Sequence, residues 1–169
     1  MQLSQAIWGR TKLDPRPYQH RITEKATDMF RGHYRNKADE LCPSSMSVMI
    51  ESPTGSGKTP TGLVTAATLQ RNPEAFGARQ INVVWVAMRK ELLAQAAREI
   101  AKWEIPVEAT IMSMFSNTIP DHLLHREPGV KTLMVMDECQ HDATTTMSNM
   151  HSALFPNGRA DGWHLGLSA

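Results

Sequence analysis

The sequence predicts an α/β fold, a mainly parallel sheet flanked by helices. Three observations carry this. Short apolar, β-branched runs alternate with segments whose apolar residues recur at helical spacing. The run Ile81-Asn82-Val83-Val84-Trp85-Val86-Ala87 is nearly continuous in β-branched and aromatic residues, as in a parallel strand covered on both faces. A glycine-bearing stretch, Ser52-Pro53-Thr54-Gly55-Ser56-Gly57-Lys58-Thr59, lies where an apolar run hands over to a helical pattern.

Taken in order, residues 1–14 show no clear period and read as a loosely held N-terminal arm, with one domain over 15–169. Pro15 and Pro17 suit a helix's first turn, and Ile22, Ala26, Met29 and Phe30 follow at helical spacing, so a helix runs to about Arg31. The charged, Pro43-containing segment 32–45 reads as a loop leading into a strand over 47–51. After the glycine-bearing stretch, Leu63, Val64, Ala66, Ala67 and Leu69 give a helix an apolar face, and Asn72-Pro73 stops it. The strand 81–87 is followed by a helix over 90–103 with Leu92, Leu93, Ala96, Ala97 and Ile100 inward, ended by Pro106. Strands are predicted over 107–114, 133–136 and 163–168, and a helix over 147–155.

The 169 residues suit one compact domain with a sizeable core. With 41% hydrophobic and 21% charged residues the composition is that of a soluble globule, and no apolar run approaches the ~20 residues of a membrane span. No signal or transit pattern opens the chain, so a cytoplasmic location is expected. Two cysteines, Cys42 and Cys139, are too few for a disulfide framework and read as free thiols. Net charge is +1, with eight Lys+Arg against five Asp+Glu in residues 1–40 and ten against twelve beyond. A nucleic-acid contact would therefore be a local stripe and not the whole surface.

The stretch 52–59 has the context of a phosphate-binding loop. Gly55 and Gly57 let consecutive N–H groups face one centre, Thr54 and Ser56 complete the loop, and the following helix aims its positive end at the same point. Lys58 would reach the outer phosphates of a nucleotide, and Thr59 would place a hydroxyl on the accompanying Mg2+. Asp137-Glu138 ends the apolar run Leu133-Met134-Val135-Met136, at the sheet edge where the loop opens. Asp137 would hold the metal and Glu138 would orient or deprotonate the attacking water.

These motifs together resemble superfamily 2 helicases of the DExH branch, the branch that includes phage and repair translocases and restriction-enzyme motor subunits. Residues 52–59 are similar to motif I. Asp137-Glu138-Cys139-Gln140-His141 resembles motif II, and Leu165-Gly166-Leu167-Ser168-Ala169 resembles motif III. Arg16-Pro17-Tyr18-Gln19 is similar to the family's adenine-reading motif, which implies that Arg16 and Gln19 contact the base. Residues 86–95, with Arg89 and Lys90, resemble motif Ia, and Thr110-Ile111-Met112-Ser113 echoes motif Ib. These imply contacts to the nucleic-acid backbone by Arg89, Lys90 and Ser113.

The resemblance implies a RecA-like P-loop NTPase fold and an ATP hydrolase using ATP and Mg2+. It implies a nucleic-acid partner, DNA in preference to RNA, and no membrane. Gln140, His141 and Ser168 would couple nucleotide state to movement, with Gln140 standing where the branch has His. Ala87 replaces a commoner proline, and the short interval from Trp103 to Asp137 implies a trimmed sheet. The family's motif III runs on past the point matched by Ala169, which implies one lobe of a two-lobe motor whose arginine fingers lie on a second RecA-like lobe. Without a finger, turnover drops by about 10³ to 10⁵. The alternative is a non-catalytic nucleotide or nucleic-acid-binding module, or a split half that docks on a partner lobe; a small-molecule kinase would need a lid and an acceptor site that the sequence does not show.

Other patterns are set aside. Asn36-Lys37-Ala38-Asp39 matches a guanine-reading motif but precedes the phosphate loop, the reverse of the usual order. His122 and His125 read as a solvent-facing pair, and Met134 and Met136 as flexible packing on a core strand.

Overall fold

The computed structural model describes residues 2–52, 57–116, 118–124, 127–138 and 145–168, with the side chains of 145–148 left aside. The elements run α1 (Leu3–Trp8), α2 (Pro17–Arg31), β1 (Ser47–Glu51), α3 (Lys58–Arg71), β2 (Gln80–Ala87), α4 (Lys90–Trp103), β3 (Ala109–Ser113), α5 (Asp121–Leu124), β4 (Val130–Asp137), α6 (Thr145–Leu154) and β5 (Gly162–Ser168). Among the described residues five strands form one parallel sheet in the order β1-β5-β4-β2-β3. The phosphate-loop strand β1 and the carboxylate strand β4 are thus not neighbours: β5 lies between them.

Parallel pairing with crossover helices covers both faces of the sheet, which is why β2 is buried from Ile81 to Ala87 save for half-buried Asn82. Its odd-numbered positions, with Leu133, Val135, Leu165 and Leu167, face a core shared with α1 to α4. Val84 and Val86 face a second, methionine-rich core of Met112, Met114, Met134, Met136 and Met150. The Met134 and Met136 reading as packing residues holds. Helix α3 is buried along most of its length and approaches the sheet closely at Gly62, where a Cβ would lie 2.7 Å from Leu167 Cδ1. Only a glycine lets the helix backbone sit that near.

The first fourteen residues depart from the loosely held arm. Residues 3–8 form a helix that buries Ile7 and Trp8 to 3% and 2% exposure, and Trp8 Nε1 donates to Thr23 Oγ1 at 2.9 Å. Downstream, the Lys12 amide donates to the Trp103 carbonyl at 2.8 Å. Six residues are too few to show a period, and the burial of two large side chains supplies the order that propensity does not. Strand β4 also starts earlier than its apolar run, because Val130, Lys131 and Thr132 pair with Gln80, Ile81 and Asn82 of β2. Among the described residues no helix is long and apolar enough to cross a membrane.

Candidate nucleotide-binding site

Parallel strands bring their carboxyl ends to one edge, and the register aligns them: Glu51 pairs with Ser168, Leu167 with Asp137, and Ala87 with Ser113. The Ser52 amide extends the β1-β5 ladder by donating to the Ser168 carbonyl at 2.9 Å. Ser52, Lys58, Thr59, Ser168, Asp137, Glu138, Arg89, Lys90 and Ser113 therefore share this edge. Thr54, Gly55, Ser56, Gln140 and His141 lie outside the described residues, as do Cys139 and His125. Cys42 is a free thiol, and His122 is exposed, in keeping with a solvent-facing residue.

Gly57 caps α3 in the left-handed conformation, φ 80 and ψ 32. Its carbonyl accepts from the Thr61 amide at 3.1 Å and the Thr61 hydroxyl at 2.7 Å, so helix α3 begins at Lys58. Lys58 lies at the helix's amino end, the end that favours anions. Its Nζ is 3.3 Å from Asp137 Oδ1, with 15% of the lysine and 1% of the aspartate side chain exposed. Among the described residues, the Lys58 ammonium and the Glu138 backbone amide are the donors that face the Asp137 carboxylate, without well-aligned geometry. Burial pushes the Asp137 carboxyl above its ordinary value, while the Lys58 ammonium pulls it the other way. A buried carboxylate paired with Lys58, on the sheet edge it shares with a threonine only 4% exposed at position 59, fits a hard cation such as Mg2+.

Glu138 follows β4 with φ 55. Arg89 Nη2 donates to both of its oxygens, at 3.1 and 3.3 Å. That pairing follows from β2 lying beside β4 in the sheet. Ser113, on edge strand β3, accepts from the Phe115 amide at 3.1 Å.

Gln19 is turned inward. Its Nε2 donates to the Gly57 carbonyl at 3.3 Å and to Thr61 Oγ1 at 3.2 Å, and its Oε1 accepts from the Arg16 amide at 2.9 Å. Both donor hydrogens are thus spent on the exit of the phosphate loop, which ties α2 to α3. Arg16 Nη1 donates to Tyr18 Oη at 3.4 Å. Arg16, Gln19, Gly57, Lys58, Thr59, Arg89 and Glu138 line one cleft of about 630 Å³. Helix α4 adds to the same wall Gln95, the last residue of the motif Ia resemblance, and Glu99 and Trp103, which motif reading missed. Their spacing of four residues, one helical turn, was the available signal.

A family model described as "Type III restriction enzyme, res subunit" (ResIII) matches residues 12–153. The chain belongs to the ResIII family. No curated protein matches the sequence. The large terminase of bacteriophage HK97 is structurally similar, with a TM-score of 0.64 at 14% identity, over 99% of this chain and 37% of the terminase. At that identity the likeness shows the fold. This ResIII chain has the RecA-like P-loop NTPase fold and is a nucleotide-binding ATPase module. It spans 37% of the terminase's length. Such modules take a nucleotide and usually Mg2+.

Proposed function

We propose that residues 15–169 form the ATP-binding lobe of a DExH-type superfamily 2 helicase or translocase that acts in the cytoplasm on nucleic acid, DNA in preference to RNA. The observation that carries this is the Lys58–Asp137 pair at 3.3 Å, which joins the phosphate-loop helix to the end of β4. In the structure each charge answers the other. Nucleotide phosphates would draw Lys58 outward, and Asp137 with Thr59 would hold Mg2+.

When bound, the metal neutralises charge on the outer phosphates. The backbone around Thr54, Gly55, Ser56 and Gly57 would cradle the phosphates, and Arg16 and Gln19 would meet the base. A base reached by the Gln19 amide would take its donors from Gly57 and Thr61, so base binding and the loop's exit are linked. Glu138 accepts the proton of the attacking water as its oxygen bonds to the terminal phosphorus and the bond to the leaving oxygen breaks. Arg89, Lys90 and Ser113 lie at the sheet edge, where they would meet phosphodiester oxygens, and Gln140, His141 and Ser168 would report nucleotide state. A second RecA-like lobe would close the open side of the cleft and raise turnover.

Single-turnover ATP hydrolysis with duplex DNA tests this. Glu138→Gln should keep nucleotide binding and lower the rate by about 10² to 10⁴. Loss of binding would make Glu138 structural, and an unchanged rate would remove it from the chemistry.

A further inference from the structure

The ion pair between Arg89 and Glu138 joins two groups that the proposed function gives to different ligands. Arg89 faces a nucleic-acid backbone, and Glu138 faces the water that attacks ATP. In the structure they contact each other. We infer that this pair is a latch: a phosphodiester backbone competes with Glu138 for Arg89 and, on binding, takes Arg89 from the Glu138 carboxylate, which then receives the proton of the attacking water. The inference rests on the nucleic-acid part of the reading above and adds how the two ligands communicate.

Three features favour exchange. A single nitrogen, Nη2, straddles both Glu138 oxygens, so the pair lacks the two parallel N–H bonds that make an arginine–oxyanion contact strong. A phosphodiester can offer arginine that geometry. The exposure is also lopsided: 60% for the Arg89 side chain and 22% for Glu138. Arg89 can turn toward an incoming phosphate without first leaving a buried place, while Glu138 stays in the cleft. Finally, Arg89 is the N-cap of α4 but makes no capping bond with its side chain, so swinging it leaves the helix start intact. Arg89 here is a positioning residue for Glu138, acting through that carboxylate's lone pairs.

If Glu138 competes with DNA for Arg89, linkage makes the competition reciprocal, and it can be read without turnover. Anisotropy with labelled duplex DNA, at fixed salt and without nucleotide, would compare wild type, Glu138→Gln, Arg89→Gln and the double variant. Glu138→Gln should tighten DNA binding about two- to fivefold, the range of an exposed ion pair. That gain should vanish in the Arg89→Gln background. A gain that survives there is a general charge effect and overturns the latch, as does no gain at all. In single-turnover hydrolysis, Arg89→Gln should raise the DNA-free rate and bring the ratio of rates with and without DNA to about one; a DNA-free rate at or below wild type overturns the inference. If no variant binds DNA while wild type still binds Mg·ATP, the latch and the nucleic-acid reading fall together and the nucleotide site stands.

Discussion

Gly57→Ala tests whether the exit of the phosphate loop is held by Gln19. Gly57 has φ 80, and a Cβ there would lie 2.5 Å from Gln19 Nε2. The left-handed conformation costs a non-glycine residue about 1–2 kcal/mol. Gln19 must also withdraw, because its end is pinned by bonds to the Gly57 carbonyl, Thr61 and Arg16. Losing the first two costs about 0.5–1.5 kcal/mol each. The substitution should therefore destabilise the fold by about 2–5 kcal/mol. Gln19→Ala alone forfeits those two bonds and the one accepted from the Arg16 amide, about 1.5–4.5 kcal/mol in all. Once Gln19 is alanine, Gly57→Ala meets no side chain among the described residues, and only the backbone term remains. The double variant should then be more stable than additivity predicts by about 1–3 kcal/mol, measured by urea unfolding followed by circular dichroism. Additivity to within about 0.5 kcal/mol would refute the claim that Gln19 braces this turn.

Two further predictions concern charge. Because burial raises the Asp137 carboxyl, the stability tied to this group is present below its unfolded value and is lost as pH rises through the folded value; at neutral pH the ionised form sits at a cost. Asp137→Asn should accordingly remove this loss, so that the variant's Tm falls less than wild type's as pH rises, while Mg2+-dependent nucleotide binding weakens; parallel Tm–pH curves would contradict this. His164 is lowered to about 4 by burial and by neighbouring His151, whose ring stacks on it at 4.5 Å. The folded protein keeps His164 neutral where the unfolded chain is protonated, so stability of up to about 3 kcal/mol is lost as pH falls from about 6.5 toward 4. His164→Asn should flatten the dependence of Tm on pH in that window, and parallel curves for variant and wild type would count against it.

The parts of the fold that the sequence showed are those with long, regular patterns. Helices α2, α3 and α4 and the interior strand β2 lie within a residue or two of their predicted spans, because apolar spacing over two or more turns is hard to mistake. Helix α1 was hidden because its order comes from Ile7 and Trp8 docking on a core built later in the chain. The start of β4 was hidden because Lys131 and Thr132 look like loop residues until β2 pairs with them. In the site, Lys58, Thr59, Asp137 and Glu138 were legible because each ends or follows an apolar run at a strand's carboxyl end. The inward turn of Gln19 and the contact of Arg89 with Glu138 were not. Both depend on which distant elements become neighbours, and the order of residues along the chain does not state that β2 lies beside β4.

The central claim is that Lys58 and Asp137 serve a nucleotide's phosphates and metal. Calorimetric titration of Mg·ATP into wild type and Lys58→Ala, at one pH and salt, tests it most directly. The account predicts binding at least about tenfold weaker in the variant, equivalent to about 1.4 kcal/mol. Equal affinities would contradict it.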